Sequence, residues 1–287
     1  MLIAAVMSLT GHGINYGIDF AGGLNLQYNM GAAYDKADVE EALKAQGIEE
    51  FVVSSVGSDG TTVQIRVPTL SSEDEVQNLQ NGLESALLEK YPDMDTDNAT
   101  ASYVGPVAGA TLVRNAVFSV LIAAALMLIY IAFRFDLFSG IAAVVGLLHD
   151  VLIMISFMVI LRSVIQMNSS FIAAMLTIVG YSINNTIVIF DRIRENNKKP
   201  ALAGQPRSEI VEQSVKESLG RTINTTLTTL VTIVTLYILG VASIREFSLP
   251  IIIGILAGAY SANLINGYVW AALEDARLAR KSQKKVA

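Results

Sequence analysis

The chain has 287 residues, 52% hydrophobic and 16% charged, with a mean hydropathy of +0.49. A soluble protein of this size carries about 25% charge, so much of this chain is built to avoid water. It holds no cysteine, which excludes disulfides and thiolate metal sites. Its two histidines, His12 and His149, stand far apart in sequence, so neither a metal cluster nor a cofactor is expected. Residues 20–110 hold 4 basic and 15 acidic side chains, a balance of −11, whereas residues 111–287 hold 16 basic and 10 acidic, a balance of +6. Asp19 completes the net −6. Such a split places the two segments in different surroundings. The acidic one would repel phosphates, which argues against nucleic acid as a partner.

The N-terminal stretch MLIAAVMSLTGH is apolar but short of the roughly 20 residues that cross a bilayer. It reads as the outer end of a truncated first span over residues 1–16. A signal peptide is the competing reading, but a basic leading region and a clear cleavage site are missing.

Residues 17–110 then show the periodicity of a water-facing domain. GLNLQYNM (23–30) alternates like a strand, and DKADVEEALKAQG (35–47) reads as a helix capped by Asp35 and stopped at Gly47. EFVVSSV (50–56) and TTVQIRV (61–67) are strands joined by the turn signal GSDG. SSEDEVQNLQNGLESALLEKY (71–91) is a helix with a serine cap and acidic residues in its first turn, where the macrodipole favours them. NATASYV (98–104) is a last strand. The order β-α-β-β-α-β predicts a small ferredoxin-like α+β domain. GIDFAGG (17–23) and VGPVAG (104–109) border it and read as tight turns, through Gly17, Asp19, Gly22 and Gly23 on one side and Gly105, Pro106 and Gly109 on the other.

Residues 111–274 predict a bundle of five further spans. The windows 115–133, 168–190, 222–244 and 247–273 contain no Asp, Glu, Lys or Arg, and 137–161 is apolar except for His149 and Asp150 at its middle. Lys and Arg accumulate in cytoplasmic loops. Arg192, Arg194, Lys198, Lys199, Arg207, Lys216 and Arg221 crowd the loop 191–221, Arg134 marks the turn FRFDLF, and Arg277, Arg280, Lys281, Lys284 and Lys285 mark the basic tail 275–287. Placing these three on one side gives six spans through the bilayer, cytoplasmic termini, and residues 20–110 outside the cell.

Asp150 is the acidic residue nearest the middle of a span. A carboxyl there costs about 2.5–3.5 kcal/mol and marks either an ion or proton pathway or a hydrogen-bonded tie between helices. Asn184 and Asn185 lie in apolar surroundings and need partners on other helices. Asp191, Arg192 and Arg194 end that span, with Asp191 one turn from Arg194 or Glu195 and so placed for local pairing. Thr225, Thr228, Thr229, Thr232 and Thr235 recur at helical spacing, as a packing stripe or a hydrated groove. Arg221, at the start of that span, is a positive-inside anchor or a counter-charge to a carboxylate. Gly254 and Gly258 form a G-x-x-x-G for close helix packing. No Walker A, G-x-S-x-G or H-E-x-x-H sequence is present, so the chain carries no sign of an ATPase or a hydrolase.

Five stretches carry a resemblance. NYGIDFAGG (15–23), VGPVAG (104–109), FRFDLFSGIAAVVGLLHDV (133–151), GYSINNTIVIFDRIREN (180–196) and RTINTTLTTL (221–230) resemble the SecF family, in order and over nearly the whole chain. The resemblance implies a six-span RND-superfamily bundle paired with SecD and associated with the SecYEG translocon. It implies non-catalytic, ion-gradient-assisted export of unfolded preprotein across the plasma membrane, at a late stage. The family pattern Y-S-x-N-D-T-I-V places its ion-coupling carboxylate where this chain has Asn185, and an amide cannot carry a proton near neutral pH. Coupling is therefore expected to involve Asp150 with Arg221 or the Asn184 and Asn185 amides, or to reside in the partner, leaving this chain a structural assembly subunit. An RND-type exporter of small molecules or lipids is a third reading.

Overall fold

The computed structural model describes residues 1–10, 13–56, 60–68, 70, 72–162, 165–202 and 204–286, without the side chains of 56, 106–108, 242–243, 281–282 and 284–286. His12, the turn residues 57–59, and the side chains of Pro106, Lys281, Lys284 and Lys285 thus lie outside the described residues. The chain divides into two compact units, one of Asn15–Ala116 with Gln166–Ser169, the other of Met1–Ile14, Val117–Ile165 and Ser170–Ala287.

In the first unit, a single turn α2 (Ile18–Ala21) leads into β1 (Gly23–Asn29), followed by α3 (Lys36–Ala45), β2 (Val52–Val56), β3 (Thr62–Val67), α4 (Glu73–Lys90) and β4 (Asp95–Val104). The four strands form one sheet in the order β2-β3-β1-β4, with every neighbouring pair antiparallel. Alternation sets the register. Leu24, Leu26 and Tyr28 stand opposite Val67, Ile65 and Val63, all fully buried on the face that Val39 and Leu43 of α3 and Leu79, Leu83 and Leu87 of α4 cover. A one-residue slip would turn that entire set to solvent. The opposite face carries Asn25, Gln27, Gln64, Arg66, Thr100 and Ser102.

The caps form as the sequence predicts. The Ala37 amide donates to Asp35 Oδ1 (3.0 Å), the Glu75 amide donates to Ser72 Oγ (3.3 Å), and Gly47 takes a left-handed φ of +81° just past α3. Lys90 ties the helices together by reaching Asp38 (2.9 Å) and Glu41 (3.1 Å). The Tyr91 hydroxyl donates to Asp38 Oδ2 (2.5 Å). That hydrogen bond, and then Lys90, holds the Asp38 carboxyl below its ordinary range.

In the second unit, α1 (Leu2–Leu9) packs on α6 (Leu137–Ile160). Helix α5 (Pro106–Arg134) precedes α6, and α7 (Ser169–Asn196), a 3-10 turn (Pro200–Leu202) and α8 (Arg207–Leu239) follow. The chain ends in α9 (Ala242–Ser261), a π-helical turn (Ala262–Asn266) and α10 (Gly267–Val286) in unbroken succession. Among the described residues, five helical segments are long and apolar enough to cross a membrane: Gly109–Arg134, Leu137–Ile160, Ser169–Asn196, Arg207–Leu239 and Ile244–Arg280. Helix α6 starts where the Ser139 amide and hydroxyl both donate to Asp136, each at 2.8 Å.

The segment 191–221, expected as a cytoplasmic loop, has a different local structure. Residues 207–221, read as loop, are the first four turns of α8, because Ile210, Val211, Ser214 and Ser218 form a buried stripe at helical spacing. The helix of the fourth predicted span likewise continues to Asn196, and the basic tail continues α10. The junction VGPVAG is no turn either. Gly105 ends the sheet, Pro106 opens α5 at a position where a missing N–H costs nothing, and Gly109 lies inside the helix.

The β-α-β-β-α-β unit has its own core, so residues 24–104 expressed alone are expected to fold cooperatively. Tyr28 lies within that core with its hydroxyl on Glu84 (3.0 Å), and burial first, then Glu84, pushes its phenol well above 10.0. A raised folded value leaves the Tyr28 contribution intact below pH 10 and removes it as pH climbs toward the folded value. Thermal melts of the fragment should therefore fall above about pH 10, and more steeply than those of Tyr28→Phe. A featureless amide spectrum for the fragment would refute the autonomous core.

Candidate functional site

Asp150 lies 13 residues past the start of α6, roughly 20 Å along the helix at 1.5 Å per residue. Its side chain is fully buried. Its described hydrogen-bond partners are two hydroxyls and one imidazole. Ser182 Oγ on α7 donates to Oδ2 at 2.6 Å, Ser261 Oγ at the end of α9 donates to the same oxygen at 2.9 Å, and His149 Nδ1 lies 3.0 Å from Oδ1. Two helices distant in sequence, α7 and α9, and the neighbouring His149 thus converge on one carboxyl, which supplies the hydrogen bonds that a buried carboxyl requires.

A second polar layer lies one helical turn further along. Gly146, Thr186 and Asn266 are its members, four residues from Asp150, four from Ser182 and five from Ser261. Thr186 Oγ1 donates to the Ser182 carbonyl (3.0 Å), and Asn266 Nδ2 donates to Thr186 Oγ1 (2.7 Å). The five-residue step is what the π-helical turn Ala262–Asn266 supplies. The extra residue rotates Asn266 into line with Thr186, and such insertions recur at functional sites. Apolar layers enclose both. Met154, Ile178 and Gly254 meet on one side, and Ala142, Phe190 and Trp270 belong to a buried cluster on the other.

Glycines permit this closeness. A Cβ on Gly254 would lie 2.5 Å from Ile178 Cγ1 and 2.9 Å from Met154 Sδ, and one on Gly258 would lie 3.0 Å from Ser182 Cβ. A Cβ on Gly146 would collide with the Asn266 amide. The G-x-x-x-G of α9 therefore packs against α7 and brings Ser261 within reach of Asp150.

The other predicted residues sit elsewhere. Asn185 is buried, with its Nδ2 lacking a partner among the described residues. Asn184 is exposed. Arg221 is exposed too, with no ion pair among the described residues. The expected support of Asp150 by Arg221, Asn184 or Asn185 is thus corrected to support by two serines and His149, because Asn184 and Arg221 are exposed and none of the three is among the described hydrogen-bond partners of the carboxyl. His149 reaches the Asp150 carboxyl and stacks on Tyr260 (5.8 Å between centroids, 25° between planes). The threonines of α8 follow the structural reading of the stripe. Thr225, Thr228, Thr229, Thr232 and Thr235 each donate to the carbonyl four residues back, which satisfies the hydroxyls within the helix.

At the helix ends, Asp191 pairs with Arg134 of α5 (3.6 Å) rather than with its own turn. Arg192 joins Glu195 (2.6 Å) and Glu217 of α8 (3.0 Å), whereas Arg194 is exposed. Within the sheet-containing unit, Asp19 Oδ2 accepts from the Ser169 amide (2.8 Å), while the Gly17 amide donates to the Met167 carbonyl (2.8 Å). Gly22 and Gly23 have φ of 79° and 111°, and a Cβ on Gly23 would strike the Val67 carbonyl. Gly109 presses against the Phe20 carbonyl, where a Cβ would come to 2.9 Å. Ser182, Thr186 and Asn266 escape sequence reasoning as site residues, although an isolated polar residue within an apolar span is the signal that could have found each.

Substituting Gly254 with Leu is expected to separate α9 from α7 and to destabilise the solubilised protein by about 1–3 kcal/mol, the usual cost of overpacking. Thermal unfolding in detergent measures this. An unshifted melting temperature would contradict the close approach.

Comparison with known proteins agrees with this layout. The family model for the C-terminal part of the protein export membrane proteins SecD/SecF matches residues 84–276, and the SecD/SecF GG motif matches residues 8–30, which include Gly22 and Gly23. The SecF protein translocase subunit of Endomicrobium trichonymphae is 36% identical over 251 residues, 87% of this chain and 78% of that one. The SecF subunit of Alicyclobacillus acidocaldarius is 35% identical over 274 residues, 94% of this chain and 86% of that one. Among solved structures, SecDF of Thermus thermophilus, described as a translocon-associated membrane protein, superposes with a TM-score of 0.79 at 35% identity. The match covers 96% of this chain but 36% of that longer one. A SecDF in a super-membrane-facing form gives 0.67 at 32% identity, over 99% and 38%. With two thirds of its length matched by the family model and SecF relatives above 30% identity across nearly all of it, the chain belongs to the SecD/SecF family of protein export membrane proteins.

Proposed function

We propose that the chain acts with SecD, at the SecYEG translocon, to promote the late, ion-gradient-assisted stage of preprotein export across the plasma membrane. The observation that carries this reading is Asp150, a fully buried mid-span carboxyl held by two hydroxyls and an imidazole. Hydroxyls donate to a charged carboxylate and accept from a neutral acid, so the same pocket tolerates both states. A fixed guanidinium would favour the charged state alone. Moving one charge through the membrane potential is worth about 2.3 kcal/mol per 100 mV, enough to bias a two-state bundle.

Around this site the proposal places a six-span, RND-type bundle, with both termini and residues 191–221 cytoplasmic. The domain of residues 17–110 lies outside as a ferredoxin-like module that meets emerging polypeptide. The sheet order β2-β3-β1-β4 with two helices on one face supports the ferredoxin-like assignment. The Lys and Arg distribution supports the orientation. In keeping with its family, the chain is an accessory subunit and not an enzyme.

A second reading is favoured by Asn185, which puts an amide where the family pattern has a carboxylate. On that reading the chain is a structural assembly subunit of the SecD complex, and the partner alone couples ions.

Translocation into inverted vesicles, at fixed ATP with and without a proton gradient, separates the two. Coupling through this chain predicts that Asp150→Asn removes the gradient-dependent increment while co-purification with SecD persists, and that Asn185→Asp enlarges the increment. If both variants assemble and leave the increment unchanged, the structural reading stands. Orientation is tested separately in this cysteine-free chain. Ser85→Cys should label with an impermeant maleimide from outside intact cells, and Ser208→Cys only after lysis. Labelling of both from outside would refute the proposed topology.

A further inference from the structure

The two oxygens of Asp150 are not equivalent. Oδ2 accepts from both Ser182 Oγ (2.6 Å) and Ser261 Oγ (2.9 Å), so both of its lone-pair directions are used. Oδ1 has one described partner, His149 Nδ1 at 3.0 Å. Burial differs as sharply, because the Asp150 side chain is 0% exposed and that of His149 is 23% exposed. The imidazole is therefore both the sole described neighbour of the open oxygen and the group that links it to the outer surface of the bundle. Its position is fixed by stacking on Tyr260 of α9, whose own side is exposed.

Resting on the proposed coupling through Asp150, we infer that His149 is the proton relay that loads this carboxylate. The step balances on the two ring nitrogens. In the starting state Nδ1 carries the hydrogen and donates it to the charged Oδ1. A proton arriving from the bundle surface bonds to Nε2 and forms the imidazolium. The Nδ1–H bond then breaks, its proton bonds to Oδ1, and the N–H electron pair stays on the ring. The products are a neutral acid and a neutral imidazole with its hydrogen on Nε2. One proton has entered, and the net charge of the pair has risen from −1 to 0. Histidine suits this role because its two nitrogens are distinct and its unperturbed pKa lies near neutrality.

The surroundings leave the step to this pair. Tyr260 is the titratable group of α9 in contact with the ring. The ionisable side chains of α5 are Arg114, Tyr130 and Arg134, all exposed, and α1 contributes none. On α7 they are Tyr181, next to Ser182, and then Asp191, Arg192, Arg194 and Glu195, more than two turns away. On α10 they are the exposed Tyr268 and, from Glu274 onward, the charged side chains past the apolar layer that includes Trp270.

The test uses the assembled complex with SecD and the channel in inverted vesicles, and reads the gradient-dependent increment of export. His149→Gln keeps an amide N–H for Oδ1 but cannot transfer a proton. A merely positional histidine would therefore survive this substitution, whereas a relay would not. The expected result is loss of the increment in His149→Gln and in His149→Ala. Added imidazole should restore it in His149→Ala and leave Asp150→Asn unrestored. Retention of the increment by His149→Gln, with Asp150→Asn inactive, would overturn the relay and leave coupling through Asp150 in place. Retention by Asp150→Asn would remove the coupling reading and the relay with it. Failure of both His149 variants to co-purify with SecD would make the residue structural and also overturn the relay.

Discussion

The bundle is organised by one electrostatic demand, that a carboxyl placed at the middle of an apolar helix must find its hydrogen bonds on other helices. Lipid offers none, and an unsatisfied polar group in hydrocarbon costs several kcal/mol. Asp150 meets the demand by drawing a serine from α7 and a serine from the end of α9 onto one oxygen. Those contacts fix which faces of three helices look inward. They also explain why α6 and α7 have buried faces along their length while α5 and α8 present long apolar rows outward, such as Val117, Leu121 and Leu126 on α5 and Leu227, Val231 and Ile238 on α8. The outward rows suit hydrocarbon, the inward ones suit a carboxyl.

Close packing follows from the same demand. A serine reaches a carboxyl on the next helix only if the two backbones approach, and small residues decide whether they can. Gly258 lies against Ser182, and Gly254 lies against Ile178 and Met154. The π-helical turn then adjusts the angle. Without the extra residue between Ser261 and Asn266, a regular helix would place Asn266 about 100° away from Thr186. The turn therefore carries a packing cost at one point so that two polar layers can be stacked on the same three helices.

Much of this was legible in the sequence, and the reasons differ by region. Alternation in GLNLQYNM and TTVQIRV foretold both strands and their buried faces, because a half-buried sheet leaves a period of two that nothing else produces. The five apolar windows matched five long helices because length and hydropathy suffice for that inference. The first turns of α8 were missed because residues 207–221 are polar by count, and their buried stripe of Ile210, Val211, Ser214 and Ser218 is narrow. The site itself was half legible. Asp150 stood out by its charge, but its partners lie 32 and 111 residues away, and no local pattern announces a contact of that range. Arg221 drew attention for the same reason as Asp150, since an ionisable residue at a span end is conspicuous, yet a serine is what the carboxyl uses.

That choice of partner bears on how Asn185 can be tolerated within the proposed coupling. A switch driven by protonation needs a carboxyl whose neutral and charged forms are close in free energy, since a strong preference for either would exceed what the membrane potential can reverse. An arginine beside Asp150 would hold it charged, and an apolar cage would hold it neutral. Two hydroxyls and an imidazole lie between these limits, because each can reverse its role as donor and acceptor. Asn185, one residue from Thr186 on α7, adds hydrogen-bonding capacity without adding a second negative charge to the interior. A carboxylate there would have set two acids in one buried region, and like charges in a low dielectric shift one another strongly. The amide therefore removes a competitor for the proton, and the proposed coupling can rest on a single carboxyl, one helix away from the family position.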